Sequence, residues 1–523
     1  MLDLTRATVV AHRERPAVDL DGSELGQLTA DGANLTSDHG SALRARQCHI
    51  RRDLRLTRFE DDDSGLVQRF EAAGRGDDGT IYLWRAQIDG ALYCTGEVSN
   101  ESGPAVEATA AKIGLAVLMT ALQADGDGDG GTIRLHSARI GSSLMLNHGH
   151  VSNSTGPALM ANGVTVSGDV SCSELAASGY GDNGVISLAG ARVDGNVYWL
   201  GAKVENVNWS GSGGGGPAVR AEDLSVGHDL RFSDGFTATS GGTNGVVHLT
   251  GAQVGGQLVI MDAILSCDTG PALYVDGVTV SQDLYLVRVT ATGAGEQGVL
   301  VLSNTQVSHD FAYRPAKLTN STVSASLLSV DGLTYGGLPT GVRPDEWLDI
   351  LRHSTCRYAA QPYQFLAAAL TAAGDDDGAA RVLIAQRQDQ LDRRALTGAR
   401  ARAWARFTGV MLGYGYRPSR ALLFLLGVLA ASVTLALLLG AHGALAQTSP
   451  AGAILPHTPC TILQRIAVGL NLGEPFISAS PPCVASATGA GSAFTIARWF
   501  LQVAVWALAT LFIAGFTSAV RRS

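Results

Sequence analysis

Apolar residues between about residue 16 and about residue 311 recur two positions apart, in runs no longer than about five residues. Val247 and Leu249 form one such pair, and Leu258 and Ile260 form another. A period of two is typical of a β-strand, whose successive side chains point to opposite faces. Glycine or another small residue ends each run. The pattern therefore predicts many short strands that are separated by tight corners.

Two phrases alternate along this region, and successive phrases start 24 to 32 residues apart. One phrase opens with Gly-Thr-Ile, Gly-Val-Ile or a similar triplet, at Gly79, Gly131, Gly184, Gly245 and Gly298. The other opens with Gly-Pro-Ala, at Gly103, Gly156, Gly216 and Gly270. An Ala-x-Leu/Ile/Val step, such as Ala191 to Val193, recurs inside the phrases. A repeat of this length indicates that neighbouring units share one core.

These features predict a mainly β fold, with a parallel β-solenoid over residues 1–335. A propeller or a sandwich is the competing all-β fold, but it needs longer strands and more aromatic anchors in each unit. Aromatic residues make up only 6% of this chain, and glycine occurs 64 times. This composition favours a stack of coils with small residues at their corners.

The pattern becomes helical after Arg343, and we assign residues 343–410 to a helical hairpin and linker. DEWLDILRH starts this part, and Pro362–Gly374 has the usual proline at its start and glycine at its end. A second helix is expected over 379–396. The two longer helices resemble one tetratricopeptide-type hairpin. A single hairpin of this kind is expected to cap the solenoid or to link it to the next region.

Two uncharged runs, 421–441 and 499–520, are each long enough to cross about 30 Å of hydrocarbon. Nine arginines and two aspartates occupy 381–420, and Arg521 and Arg522 follow the second run. Because basic residues favour the cytoplasmic side, both termini and the solenoid are expected to be cytoplasmic. The first residues also lack the apolar run of a signal peptide. The protein is therefore expected in a cell membrane as a multi-pass protein.

The segment 442–498 is then an extracytoplasmic loop, and it contains two cysteines, Cys460 and Cys483. We predict that these two form a disulfide, with two unpaired thiols as the alternative. The other five cysteines belong to the cytoplasmic part and are expected to be reduced.

Four Gly-x-Gly-x-x-Gly motifs, at Gly74–Gly79, Gly126–Gly131, Gly179–Gly184 and Gly293–Gly298, suggest a dinucleotide site. That fingerprint works only where a strand turns into a helix. Here each copy runs into a strand pattern at the same point of the repeat. We therefore interpret all four copies as solenoid corners.

Three weaker candidates remain. Asp125, Asp127 and Asp129 match the start of a calcium loop, although the flanking helices that such a loop requires are missing from the pattern. Six arginines of the early coils suggest either a solvated surface that Asp61–Asp63 balances, which the sequence favours, or a basic face for an acidic partner or anionic lipid: Arg44, Arg46, Arg51, Arg52, Arg55 and Arg58. Between the two spans, a short amphipathic helix that ends near Glu474 suggests a pore element.

Several stretches together carry a resemblance to a known group. They are the alternating GPAL/GVI phrases, AQPYQFLAAAL with GAARVLIAQRQ, the GYGYRP turn at Gly413–Pro418, and the two C-terminal spans. The chain resembles an actinobacterial family of membrane proteins with pentapeptide-like β-solenoid repeats, often labelled "membrane-associated oxidoreductase". The resemblance implies a bacterial cell membrane and redox activity.

The sequence favours a membrane-anchored scaffold or interaction protein without an evident catalytic site. It predicts no cofactor and no metal site, and the net charge of −9 argues against nucleic-acid binding. The expected partners are the lipid bilayer, a cytoplasmic protein and, at an uncapped solenoid end, a second copy of the chain. The alternatives are an oxidoreductase and a small channel-like membrane protein.

Overall fold

The computed structural model describes residues 1–12, 15–61, 63–207, 215–322, 326–415, 419–448, 454–471, 483–486 and 488–520. The chain divides into two compact units, Met1–Ala379 and Ala380–Ser523. Each unit is described separately.

The first unit is the predicted parallel β-solenoid, with about 12 turns and four faces. Each coil contributes one short strand to each face, except that the last coil has no strand on face 4, and the strands of neighbouring coils pair in parallel. The faces are numbered 1 to 4 in the order in which the chain visits them. A small antiparallel hairpin, Phe59–Glu60 with Val67–Gln68, projects from the third coil.

Faces 1 and 2 contain twelve strands each. The strands of face 1 are Leu2–Asp3, Leu28–Thr29, Leu54–Leu56, Leu92–Cys94, Val117–Leu118, Leu144–Met145, Val170–Ser171, Val197–Leu200, Leu230–Ser233, Leu258–Met261, Leu284–Val287 and Phe311–Arg314. The strands of face 2 are Thr8–Ala11, Asn34–Ser37, Glu71–Gly74, Glu97–Asn100, Gln123–Gly126, His150–Asn153, Ala176–Gly179, Lys203–Asn206, Thr237–Ser240, Ile264–Cys267, Thr290–Gly293 and Lys317–Asn320.

Face 3 has twelve strands and face 4 has eleven. The strands of face 3 are Val18–Asp19, Leu43–Arg44, Ile81–Tyr82, Val106–Glu107, Ile133–Arg134, Leu159–Met160, Ile186–Ser187, Val219–Arg220, Val247–His248, Leu273–Tyr274, Leu300–Val301 and Leu328–Ser329. The strands of face 4 are Glu24–Leu25, His49–Ile50, Gln87–Ile88, Lys112–Ile113, Arg139–Ile140, Thr165–Val166, Arg192–Val193, Ser225–Val226, Gln253–Val254, Thr279–Val280 and Gln306–Val307.

The core is a set of stacked columns of aliphatic side chains. On face 3, Ile81, Val106, Ile133 and Leu159 lie one above another and are buried. The next residue of each strand points outward, which is the alternation that the sequence pattern predicts. Burial of these columns between coils supplies the main stabilising contribution of the solenoid.

The recurring Ala-x-Leu/Ile/Val step serves two different corners. Ala86–Ile88 and Ala191–Val193 lead from face 3 to face 4, whereas Ala33–Leu35 and Ala263–Leu265 lead from face 1 to face 2. Alanine is buried at each of these corners, because only a small side chain fits inside the bend. The residue before the alanine has a positive φ at both kinds of corner, as at Arg85 (φ 54°).

The C-terminal end of the solenoid is covered by aromatic side chains. Phe311 packs against Trp347 with ring centroids 5.7 Å apart, and Tyr335 packs against Phe365 at 4.7 Å. Trp347 belongs to helix α1 (Pro344–His353) and Phe365 to helix α2 (Gln361–Ala372). These helices therefore close the apolar cross-section of the last coil. The sequence pattern expected the hairpin of the two longer helices to cap the solenoid or to link it onward, whereas the observed cover comes from α1 and from α2, the first helix of that hairpin.

Helix α3 (Asp376–Asp392) follows the turn at Gly374 (φ 81°). The predicted helices of the 343–410 region are therefore present, whereas their antiparallel packing as a hairpin stays a prediction. The pattern did not predict helix α4 (Ala399–Leu412), in which Arg400, Arg402 and Arg406 alternate with alanines and aromatic residues.

The second unit continues with helix α5 (Ser419–Ala441), helix α6 (Ile462–Leu470) and helix α7 (Gly489–Val520). Between the helices lies a three-stranded antiparallel sheet of Leu445–Thr448, Ile454–Pro459 and Cys483–Ala485. Two segments are long and apolar enough to cross a membrane, Ser419–Ala441 and Gly489–Ile513. Helix α7 starts ten residues before the uncharged run 499–520. Thr488 Oγ1 accepts from Gly491 N in the first turn, and the sequence GAGSAFTIAR that follows Thr488 contains no proline to interrupt the helix.

Candidate functional site

The outward side chains of face 3 form a polar column along the solenoid. It includes Arg44, Tyr82, Glu107 and Arg134 in consecutive register and, after Met160, Ser187, Arg220 and His248. Several of these outward groups are nevertheless buried, among them Glu107, Ser187 and His248. Neighbouring coils cover them, since Arg134 Nη1 lies 3.6 Å from Glu107 and His248 Nδ1 lies 3.4 Å from Glu222. Face 3 therefore presents a mostly polar surface, interrupted at Met160, in which neighbouring coils pair several of the charges.

Beyond the last strand of face 3, the chain returns to this face after helix α1. The backbone N–H groups of Leu327 and Leu328 both donate to Ser354 O at 2.9 Å, and Cys356 N donates to Leu328 O at 3.1 Å. Thr355 is thereby paired with Leu328 in a parallel bridge. This rung continues face 3 and leads directly into the turn before α2.

A cleft of about 390 Å³ lies between this returning segment and the last coils of face 3. The coils contribute Tyr274, Asp276, Ser303, Asn304 and Asp331 to its wall, and the returning segment contributes Cys356, Arg357, Tyr358 and Tyr363. Three tyrosines, two carboxylates and one guanidinium therefore face one small volume. Such a set of groups is suited to recognition of a polar or cationic side chain.

The polar groups of the cleft wall are held by neighbouring coils. Asn304 Nδ2 donates to Asp276 Oδ1 at 3.0 Å, and the hydroxyls of Ser303 and Ser329 lie 2.9 Å apart. The ring of Tyr274 packs edge to face against His248, with centroids 5.0 Å apart. Burial, followed by the charge of Asp276, raises the pKa of Tyr274, which therefore stays protonated at neutral pH.

The four Gly-x-Gly-x-x-Gly motifs lie at the corner between faces 2 and 3. In the third copy, Gly179 ends a strand of face 2, Gly181 (φ 106°) and Gly184 (φ 87°) form the turn, and Ile186 starts a strand of face 3. The other copies repeat this arrangement. Since no copy precedes a helix, the geometry that places a pyrophosphate at a helix N-terminus does not occur at these turns.

The acidic stretch 125–129 also belongs to this corner. Asp127 Oδ1 accepts from Gly128 N and from Ser154 Oγ, both at 2.8 Å, and from Thr155 Oγ1 at 2.5 Å. These hydrogen bonds, led by that of Thr155, lower the pKa of Asp127. Its carboxylate therefore joins two coils. Among the described residues, no group of three or more His, Cys, Asp or Glu side chains is placed to hold a metal ion.

The early arginines do not form one basic face, because they lie on different faces and corners of the coils. Arg44 lies 3.0 Å from Asp21, Arg51 lies 2.6 Å from Glu24, and Arg55 lies 3.3 Å from Asp31. The sequence pattern does not show that these arginines lie on different faces, because the chain passes from one face to the next within a few residues. Each of these three charges is balanced locally.

Four of the free cysteines are buried in the solenoid core: Cys48, Cys94, Cys172 and Cys267. Burial raises the pKa of Cys94 and of Cys172 to about 12, so both thiols are uncharged and unreactive at neutral pH. Cys356 is partly exposed at the cleft.

Cys460 and Cys483 are joined in a disulfide, with their Cα atoms 6.4 Å apart. The bond is buried in an apolar cluster with Ala436, Leu445 and Phe494. Glu474, the residue on which the pore interpretation depended, lies outside the described residues, as do Arg521 and Arg522.

Buried asparagines at the ends of face 2 strands are a structural feature that the sequence pattern did not predict. Asn100, Asn153, Asn206 and Asn320 each donate to the backbone of the glycine corner in the preceding coil. Asn153 also accepts from Thr155 N at 3.0 Å and from Gly156 N at 2.5 Å. The signal is an asparagine four residues before the proline of Gly-Pro-Ala in NESGP and NSTGP.

Comparison of the chain with family models, with curated proteins and with solved structures found no match.

Proposed function

We propose that this protein is a membrane-anchored scaffold, whose cytoplasmic solenoid presents face 3 and its terminal cleft to a protein partner. The observation that carries the proposal is a repetitive solenoid joined in one chain to two apolar helices of spanning length. Successive coils hold outward side chains about 4.8 Å apart. A partner would therefore meet a rigid surface whose backbone loses little conformational entropy on binding.

The cleft suggests the chemistry of that partner. Tyrosine rings attract cations, and Asp276 and Asp331 provide negative charge beside Tyr274 and Tyr358. A lysine or arginine side chain on a loop of the partner would fit this arrangement. The paired charges along face 3 would contribute specificity more than affinity.

Helix α4 supports membrane anchoring next to the first candidate span. Trp404, Phe407 and Val410 repeat every three residues and are 63%, 43% and 60% exposed. Three arginines share the helix. Exposed aromatic residues with arginines are typical of a helix that lies in the headgroup region of a membrane. In this proposal α4 lies on the cytoplasmic surface of a bacterial cell membrane.

Cysteine labelling tests the orientation. In a Cys356→Ser background, Gln253→Cys places a thiol on face 4, and Leu463→Cys places one on α6. A membrane-impermeant maleimide should label Leu463→Cys in intact cells, and Gln253→Cys only after the membrane is opened. Labelling of Gln253→Cys in intact cells would refute the cytoplasmic solenoid.

Site-specific photocrosslinking tests the partner surface. A photoreactive residue at Ser329, beside the cleft, should capture a defined protein in native membranes, and one at Thr279, on face 4, should not. Asp331→Arg should abolish capture because it reverses a charge of the cleft. An unchanged β-sheet signal in circular dichroism would show that the variant is folded. Equal capture from Ser329 and Thr279 would count against a specific surface.

A further inference from the structure

The end of α4 is a sharp turn, and α4 lies in contact with α5 in the helical unit. Gly413 (φ 54°) ends α4 in the left-handed conformation, and Tyr414 (φ 58°) follows in the same region. The ring of Tyr414 lies back over Gly409, where an added Cβ would be 2.6 Å from Tyr414 Cζ. Glycine at position 409 therefore leaves room for this ring.

An open crevice of about 410 Å³ lies between α4 and α5. Val410 of α4 contributes to its apolar wall together with Leu423 and Phe424 of α5, and Arg420 of α5 contributes a guanidinium. Because Leu423 and Phe424 follow Arg420 by three and four residues, all three lie on one side of α5. The crevice therefore combines a cation with an apolar surface.

The apolar surface continues from the crevice along α5. Gly427 follows Arg420 by seven residues, which is about 11 Å along the helix. An added Cβ at Gly427 would meet no atom within 4 Å, so this side of the helix is open. Leu426 and Ala430 beside it are exposed as well. If α5 spans the membrane, an acyl chain of a lipid can lie along this side.

The guanidinium of Arg420 is exposed, and among the described residues no carboxylate oxygen lies within 4 Å of it. The same is true of Arg406, which precedes Val410 by four residues and lies on the same side of α4. In contrast, Arg393 of the same unit pairs with Asp389 at 2.8 Å. The two arginines near the crevice are therefore available to an anion, and a guanidinium matches the geometry of a phosphate.

We propose that the crevice between α4 and α5 binds one anionic phospholipid, with its phosphate at Arg420 and an acyl chain between Val410 and Phe424. The inference rests on the proposed function, in which α5 crosses the membrane and α4 lies among the headgroups. Basic pockets beside spanning helices on the cytoplasmic side are suited to anionic headgroups. A free phosphate ion would contact the guanidinium but not the apolar wall, so a lipid is the occupant that uses both parts of the crevice.

Native mass spectrometry of the full-length chain in detergent tests the proposal. The added probes are phosphatidylglycerol, phosphatidylcholine with the same acyl chains, and glycerol phosphate. We expect the chain to retain phosphatidylglycerol at least fivefold more than phosphatidylcholine, and not to retain glycerol phosphate. Arg420→Gln should reduce the retained phosphatidylglycerol at least fivefold, whereas Arg420→Lys should keep part of it. Val410→Trp, which fills the crevice and keeps its charge, should reduce retention as well.

The matched control is Arg400→Gln, which should leave the retention unchanged. Arg400 is exposed on the same helix α4, but it precedes Val410 by ten residues, or about 15 Å. An intact Cys460–Cys483 bond in each variant would show that the helical unit is folded.

Three results would overturn the lipid site. They are equal retention of phosphatidylglycerol and phosphatidylcholine, equal losses for Arg420→Gln and Arg400→Gln, and retention of glycerol phosphate by itself. The cysteine-labelling experiment separates this inference from the proposed function. Labelling reports whether the chain crosses the membrane, whichever lipid the crevice retains.

Discussion

The solenoid and the helical unit satisfy their buried polar groups in opposite ways. In the solenoid, the backbone groups of the strands pair with the coil above or below, and similar hydrogen bonds recur at equivalent corners. In the helical unit, the backbone is satisfied within each helix, and the exceptions depend on single side chains such as Ser432 and Arg498. Repetition therefore marks a structural role in this protein, and a group that occurs once is the better functional candidate.

The same difference explains why four glycine motifs did not indicate a nucleotide site. An added Cβ at Gly74 would lie 2.9 Å from Gly40 O of the preceding coil, and one at Gly126 would lie 3.1 Å from Gly103 O of the preceding coil. The motif is thus produced by packing between coils, and it recurs because the coils recur. Recurrence of this kind is evidence against a catalytic or binding role.

The largest expected effect tests whether stacking requires glycine in the Gly-Pro-Ala phrase. A Cβ at Gly156 would lie 2.3 Å from Gly128 O in the preceding coil. Because two coils would have to separate, Gly156→Val should destabilise the solenoid by about 3 kcal/mol or more. Urea unfolding followed by circular dichroism measures this loss.

The control for that substitution is Gly190→Ala. A Cβ at Gly190 meets no atom within 4 Å, and the equivalent corner three coils earlier carries Ala110 with φ 56°. Its cost should be about 1 kcal/mol, which is the penalty for alanine at a positive φ. Equal losses for the two variants would contradict the stacking explanation.

The second effect belongs to the helical unit alone. Removing the disulfide with Cys460→Ala and Cys483→Ala releases a segment whose ends are 23 residues apart, and it should cost about 2–4 kcal/mol. Hydrogen exchange should then rise in α6 and stay unchanged in the strands of face 1. Mass spectrometry that finds both thiols free in the oxidised wild-type protein would disprove the bond itself.

A third prediction concerns the buried asparagines, whose amides join two corners. Asn153 is 3% exposed, and Asn153→Ala would leave Gly128 O and two backbone N–H groups without this partner. The expected loss is about 1–3 kcal/mol. His150→Ala, an exposed outward position on the same strand, should change stability by less than about 0.5 kcal/mol. The same urea unfolding experiment compares the unfolding free energies of the two variants. If Asn153→Ala leaves the unfolding free energy unchanged, the buried asparagines do not stabilise the solenoid.

How much of this architecture the sequence predicts depends on whether a feature repeats. The solenoid and its corners followed from periodicity, because every coil repeats the same constraint, whereas the two long helices followed from their uncharged runs, and α7 starts ten residues before its run. The cleft did not, since Tyr274, Asp331 and Tyr358 are far apart in sequence and meet only because the chain returns to face 3 after α1. The hydrogen bond from Arg498 to Asn471 O was also missed. The second uncharged run starts at residue 499, so the sequence pattern placed this arginine outside the second long helix.

The smallest effect is a pH dependence at His248 on face 3. Burial, partly opposed by the charge of Glu222, lowers the pKa of His248 below its unfolded value of about 6.5. The unfolded chain therefore binds this proton more readily than the folded one. As the pH falls below about 6.5 toward the folded pKa, the solenoid should lose stability, by no more than about 1.4 kcal/mol for each pH unit.

His248→Gln keeps a polar side chain against Glu222 and Tyr274 but does not titrate in this range. The difference in unfolding free energy between wild type and His248→Gln should thus depend on pH only below about 6.5. A constant difference from about pH 8 to about pH 5 would mean that the ring remains hydrated in the folded protein. In that case the outward side chains of face 3 would be solvated like those of face 4. Burial of polar groups would then not be a property that sets face 3 apart.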